Sequence, residues 1–81
     1  PNDPFTLYNL GRIHERLGKI AEALPYWRRS LAVTPPQETY VGKLYSLLAQ
    51  GHRQLGQRYK MMTMCLAGLV RFPDQPDLLF L

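Results

Sequence analysis

Two histidines and one cysteine are the residues of this chain best suited to bind a metal ion. His14 and His52 are 38 residues apart, and Cys65 is the single thiol. Metals such as zinc need three or four converging ligands of this kind, and each histidine lies on a stripe of otherwise apolar residues. We therefore interpret both histidines as packing residues, and we expect no metal site and no cofactor.

Catalytic chemistry has little support in the sequence. It contains no Gly-rich phosphate loop, no nucleophile elbow, no HExxH motif and no acidic pair at an evident cleft. Glu15 follows His14, but neighbours on a helix point about 100° apart and do not form a dyad. We expect the chain to be non-enzymatic.

Basic residues outnumber acidic ones, which suggests an acidic partner. The chain has 10 Lys and Arg against 6 Asp and Glu, a net charge of +4. A phosphate-binding patch could form, but base-stacking aromatic residues are not interleaved with its charges, as single-strand binders require. We interpret it as a solvated face and expect no nucleic-acid partner; its members are Lys19, Arg28, Arg29, Arg58, Lys60 and Arg71.

The length and apolar pattern fit one small domain without a membrane span. The chain has 81 residues, and its apolar runs are far shorter than the roughly 18 residues that span a bilayer. A lone cysteine fits a reducing compartment. We expect a cytoplasmic location and no membrane partner.

The elements that must position these residues are repeated along the chain. Residues 9–18 align with residues 47–56, so that a small residue, His, Leu and Gly recur in register, and Pro35 aligns with Pro73. The offset is the 38 residues that also separate the histidines. The chain therefore contains two units.

Each unit is predicted to be a pair of helices, because its apolar residues recur three or four positions apart. Asp3 and Pro4 are typical of an N-cap and a first helical position, and Gly18 is typical of the left-handed residue after a helix. In the second unit we expect the first helix to begin near Pro36 and run for about 20 residues. Pro25 predicts a mild kink.

The pattern resembles the tetratricopeptide repeat (TPR), a 34-residue helix-turn-helix unit with the signature W-x₂-L-G-x₂-Y, A-x₃-F and P. Leu10 and Gly11 match its Leu-Gly pair, and Trp27 its large aromatic residue. The second unit departs from the signature, since Met61 and Cys65 replace the Ala and the aromatic residue.

The resemblance implies an all-α fold, a right-handed superhelical stack of antiparallel helix pairs with about four helices and the start of a fifth. It implies a single TPR-like domain over residues 1–81. Because Pro1 precedes Pro35 by the family's repeat length, we expect this domain to belong to a longer array. The divisions expected are repeat 1 at about 4–37, an extension at 38–41, repeat 2 at about 42–75 and the start of a third repeat at 76–81.

TPR arrays bind extended peptides along a concave groove lined by the first helix of each hairpin, so the resemblance also implies a set of groove residues. Tyr8, Arg12 and Leu47 stand where one TPR subclass has its carboxylate clamp, so we expect no such clamp. The candidate groove residues are Phe5, Tyr8, Asn9, Arg12 and Arg16 in the first unit and Lys43, Ser46, Leu47, Gln50 and Arg53 in the second.

The function implied is a protein-binding or scaffolding module that takes a partner peptide or protein with acidic groups. Three alternatives remain open. Residues 68–81 are similar to TPR segments attached to bacterial glycosyltransferases, so the chain could be a non-catalytic part of a larger enzyme. Pentatricopeptide RNA binders have a similar period, and exposed repeat ends could form a homo-oligomer.

Overall fold

In the part of the chain that the structure describes, four α-helices form two antiparallel hairpins. Within each hairpin the two helices pack along each other, and α2 also packs against α3. The predicted all-α stack of antiparallel helix pairs is confirmed for the residues that the structure describes. The computed structural model describes residues 3–35, 38 and 40–74, so the fifth helix predicted to begin at 76–81 lies outside the described residues. The helices are α1 (Pro4–Arg16), α2 (Ile20–Val33), α3 (Val41–Gln54) and α4 (Arg58–Arg71).

The two hairpin turns have the same construction. Gly18 has a positive φ of 76°, its N–H donates to the Glu15 carbonyl (3.0 Å), and the N–H of Lys19 donates to the His14 carbonyl (2.8 Å). Gly56 has a φ of 71° and closes the second turn with an equivalent pair of bonds. These bonds satisfy the last carbonyls of α1 and α3, and the conformation predicted for Gly18 is confirmed.

The start of α1 also follows the prediction. Asp3 is the N-cap, and its carboxylate accepts hydrogen bonds from both the backbone N–H and the hydroxyl of Thr6, each at 2.9 Å. Pro4 is the first helical residue, where its missing N–H costs nothing. At the middle of α2 the helix continues through Pro25, and the kink there stays a prediction.

The predicted start of α3 is wrong. The helix begins at Val41 and has 14 residues, instead of beginning near Pro36. Thr34 is extended, with φ −83° and ψ 132°, because a residue that precedes proline is disfavoured in the α conformation. The N–H of Glu38 then donates to the Pro35 carbonyl (3.1 Å) and that of Val41 to the Glu38 carbonyl (3.2 Å). Both bonds join residues three positions apart, whereas the bonds of an α-helix join residues four positions apart.

The main core lies between α2 and α3, and Trp27 is its largest residue. The Trp27 ring is fully buried, and its indole N–H donates to the Tyr8 carbonyl at 3.3 Å. Gly11 lets α1 approach this ring, since a Cβ atom at Gly11 would overlap three ring atoms. Ser30 ties α2 to the start of α1, donating to the Pro4 carbonyl at 2.7 Å. The buried core residues are Ala23, Leu24, Trp27, Leu44, Leu47 and Leu48.

Candidate functional site

Four of the five groove residues predicted on α1, all except Phe5, line one depression. This open depression of about 360 Å³ lies along the helix. Sequence reasoning missed one of its members, Ile13, which is apolar and half-exposed; its position four residues after Asn9 is the signal that could have placed it there. The lining residues are Tyr8, Asn9, Arg12, Ile13 and Arg16.

Three aromatic rings gather at one end of this depression. The rings of Phe5 and Tyr8 are parallel, with centroids 6.4 Å apart. Tyr40 meets Phe5 at 6.4 Å and Tyr8 at 5.9 Å, inclined by 68° to each. Tyr40 was missed because the sequence prediction placed it inside α3, whereas it is the residue that precedes the helix. We call Phe5, Tyr8 and Tyr40 the aromatic cluster.

The charges beside the aromatic cluster are mixed but mainly basic. Nε of Arg12 lies 3.0 Å from Oε1 of Glu15, in an ion pair whose atoms are not aligned as a hydrogen bond. Arg16 is exposed one turn further along α1. Both side chains are partly or fully open to water, so the ion pair with Glu15 only partly offsets the positive charge.

On α3, two of the predicted groove residues are buried. Ser46 is 0% exposed and Leu47 is 4% exposed, so neither offers a surface to a ligand and both leave the candidate set. Leu47 packs in the core between α2 and α3, because it lies on the side of α3 that contacts α2. Ser46 accepts a hydrogen bond from the amide of Gln50 at 2.9 Å. Gln50 and Lys43 are half-buried, and Arg53 is exposed.

Arg53 lies in a different depression from the α1 residues. This second depression, of about 410 Å³, surrounds the turn between α3 and α4 and is also lined by Gly56, Arg58 and Met61. Arg58 was assigned from sequence to a solvated face rather than to a site. Its place beside Arg53 follows from the turn at Gly56, which brings the end of α3 and the start of α4 together.

Both histidines have hydrogen-bond partners within the fold. His14 donates from Nδ1 to the Leu10 carbonyl at 2.8 Å. His52 is buried; its Nε2 accepts from the Arg28 guanidinium (3.1 Å), so its Nδ1–H donates to the Gln57 side-chain oxygen (2.7 Å). Among the residues that the structure describes, no group of three His, Cys, Asp or Glu side chains is placed to hold a metal ion.

Cys65 is half-buried among the residues between α3 and α4. Burial raises the pKa of its thiol above the ordinary value. A nucleophilic cysteine needs the opposite shift, toward the thiolate. The surroundings of Cys65 are therefore those of a packing residue.

No helix in the described part of the chain has the length and apolar content needed to cross a bilayer. The compartment stays a prediction.

Comparison with known families matches part of the chain. The family model of the tetratricopeptide repeat matches residues 4–36, which include the whole first hairpin. Repeats of this family generally mediate protein–protein interactions and are typically non-catalytic. Comparisons with curated proteins and with solved structures gave no match. The similarity of residues 68–81 to glycosyltransferase-associated segments stays a hypothesis, and residues 75–81 lie outside the described part.

Proposed function

We propose that this chain binds a protein or peptide segment with acidic groups, through the exposed side chains of α1 and the basic end of α3. This binding surface consists of Phe5, Tyr8, Asn9, Arg12, Ile13 and Arg16 on α1, Lys43, Gln50 and Arg53 on α3, and Tyr40 before α3.

The observation that best supports this proposal is the charge of the second hairpin. Residues 41–71 contain no Asp or Glu, so the basic side chains there have no acidic neighbours within their own hairpin. A surface with an excess of basic residues attracts negatively charged partners and repels positively charged ones. Of the basic residues of this hairpin, Lys43 and Arg53 belong to the binding surface, and Arg58, Lys60 and Arg71 lie outside it.

The rigidity of α1 further supports binding of an extended segment. Asp3 caps the helix, Gly18 closes it, and Trp27 fixes the Tyr8 backbone. A surface held in place before binding loses little conformational entropy when a ligand arrives. The ordering cost then falls mainly on the partner segment.

Charge reversal tests the proposal. Titration of the chain against a library of acidic peptides should yield binders, and Arg12→Glu combined with Arg53→Glu should weaken them about tenfold at low salt. The matched control is Lys19→Glu combined with Arg71→Glu, which changes the net charge equally at exposed positions outside the binding surface. Equal affinities of the two double variants for every binder would contradict the proposal.

Self-association is a second candidate function, favoured by an exposed apolar stripe on α4. Tyr59 and Val70 are 84% and 83% exposed, and Met62 and Leu66 are 50% and 62% exposed. Their spacings of three and four residues place them on one side of the helix. Met62 is the repeat equivalent of Leu24, which packs in the core between α2 and α3. Met62 thus occupies a position that another helix covers in the first hairpin, whereas the equivalents of Tyr59, Leu66 and Val70 in that hairpin are exposed.

Sedimentation equilibrium across a range of concentrations tests this candidate. The wild-type chain should show a concentration-dependent mass, and Leu66→Glu should lower the association constant. Val33→Glu is the control, because Val33 is also half-exposed but lies at the end of α2. A monomeric mass at all concentrations would exclude self-association through the stripe.

A further inference from the structure

We infer that the aromatic cluster is a binding site for a proline residue in the partner segment, and that acidic residues on the same segment meet Arg12 and Arg16. This inference rests on the proposed function, since it names the chemistry of the segment that the binding surface takes.

The aromatic cluster is both accessible and held in place. Phe5 is 59% exposed, while Tyr8 and Tyr40 are half-buried. The Tyr8 backbone is fixed by the Trp27 indole, and the Tyr40 carbonyl accepts the N–H of Leu44 at 3.0 Å as the first bond of α3. The backbones of Tyr8 and Tyr40 are therefore anchored by hydrogen bonds, and the exposed Phe5 ring leaves an apolar surface open to a ligand.

Proline fits this surface better than the other groups that aromatic rings bind. Proline-rich segments dock on aromatic-lined surfaces, because their polyproline II helix is already extended before binding. A cationic group could also lie over aromatic rings, but Arg12 begins the basic part of the surface one turn from Tyr8. The net charge of +4 adds to this repulsion. The same charges favour a proline flanked by acidic residues.

The positions along α1 set the spacing of the motif. Tyr8, Arg12 and Arg16 are four residues apart, so each step advances about 6 Å along the helix axis. A polyproline II segment rises about 3.1 Å per residue. A segment parallel to α1 would then place acidic side chains about two and about four residues from the proline. The depression beside Asn9 and Ile13 joins these positions.

A set of synthetic peptides tests the inference. The first is Asp-Ser-Asp-Ser-Pro-Ser-Asp-Ser-Asp, which presents the motif in either chain direction; the other two replace its proline by alanine or leucine. Dissociation constants are measured for the wild-type chain, for Phe5→Ala, for the charge-reversal variant Arg12→Glu plus Arg53→Glu, and for Tyr59→Ala. Tyr59 is an exposed aromatic residue outside the binding surface. Circular dichroism checks that each variant is helical.

The wild type should bind the proline peptide about tenfold more tightly than the alanine peptide, and Phe5→Ala should remove this preference while Tyr59→Ala keeps it. Equal binding of the leucine and proline peptides would overturn the assignment to proline. Equal binding of all three peptides, with a loss on Arg12→Glu plus Arg53→Glu, would overturn the aromatic site and leave the proposed function standing. If the charge-reversal variant bound the peptides with the same affinity as the wild type, or if no peptide bound at all, the proposed function and the inference that rests on it would both be contradicted.

Discussion

The two hairpins share a backbone plan but differ in what fills it. Both first helices end in the same glycine turn, and the repeat-equivalent histidines contribute their carbonyls to it. In the first hairpin, α2 buries Ala23, Leu24, Trp27 and Ser30. In the second, the buried residue within Arg58–Arg71 is Gly68, and Cys65 stands where the first hairpin has its tryptophan. Local turn signals thus specify the hairpin, whereas large side chains decide how firmly it is packed.

The equivalent histidines show how the same position acquires different surroundings. His14 is half-buried, and its ring lies 4.9 Å from the ring of Tyr26. His52 is buried and bonded to both Arg28 and Gln57. Arg28 reaches His52 from α2, and the contact exists because α3 packs against α2. A residue's place in the stack, and not only its place in the repeat, determines its partners.

The largest effect that would test this comparison comes from the equivalent pair Trp27 and Cys65. Trp27→Ala should lower the free energy of unfolding by about 3–5 kcal/mol, because it empties the centre of the core. Cys65→Ala should lower it by less than about 1 kcal/mol, since a partly exposed residue loses fewer contacts. Urea unfolding followed by circular dichroism measures both changes.

Similar losses for the two variants would contradict the comparison, because they would mean that the second hairpin is packed as firmly as the first. An unfolded Trp27→Ala chain would agree with it. In that case Trp27→Phe, which keeps most of the apolar volume but removes the indole N–H, gives a measurable intermediate loss.

Structural features that depend on residues close together in sequence were predicted from the sequence, and features that depend on contacts between distant residues were not. Asp3 and Gly18 act within a few residues of themselves, and their roles were predicted correctly. Leu47 was placed in the groove although it is buried, because its burial depends on how α2 meets α3. Tyr40 was missed because the start of α3 depends on turns after Thr34. Contacts between hairpins are non-local, and the apolar pattern of a single helix does not specify them.

Two helix glycines provide the second test, with a smaller expected effect. A methyl group at Gly11 would overlap the indole of Trp27, whereas at Gly51 it would meet mainly the end of the Leu24 side chain. The indole is rigid and hydrogen-bonded, but a leucine can rotate. Gly11→Ala should therefore lower the free energy of unfolding by about 1–2 kcal/mol. Gly51→Ala should change it by less than about 0.5 kcal/mol, because the gain in helix propensity offsets the displacement of the Leu24 side chain.

A double-mutant cycle isolates the overlap itself. When Trp27→Phe supplies a smaller ring, Gly11→Ala should lower the free energy of unfolding by less than it does beside the tryptophan. The double variant should therefore lose less stability than the sum of the losses of the two single variants. Additive effects would show that Gly11 is required for a reason other than the approach of α1 to Trp27. Gly51→Ala serves as the control, because its contacts are with Leu24 and Ile20.

The smallest expected effect concerns the starts of the two first helices. Asp3 caps α1, whereas within the described residues no side chain caps α3, whose N-cap is Tyr40. The hydrogen bonds from Thr6 lower the pKa of the Asp3 carboxyl below its ordinary value of 3.8. Because the folded-state pKa is the lower one, the capping contribution is fully present above pH 3.8 and is lost as the pH falls through the folded-state pKa.

Asp3→Asn separates the cap from its charge, because asparagine keeps an acceptor oxygen but does not titrate. At neutral pH Asp3→Ala should melt at a lower temperature than the wild type, and Asp3→Asn close to it. Below about pH 3.8 the wild type should lose stability relative to Asp3→Asn. Amide exchange at Thr6 locates the change, since its N–H donates to the cap. If exchange at Thr6 were equally slow in Asp3→Ala, the packing of Ser30 and Trp27 against α1 would be enough to hold the helix start, and the two hairpins would not differ in how their first helices begin.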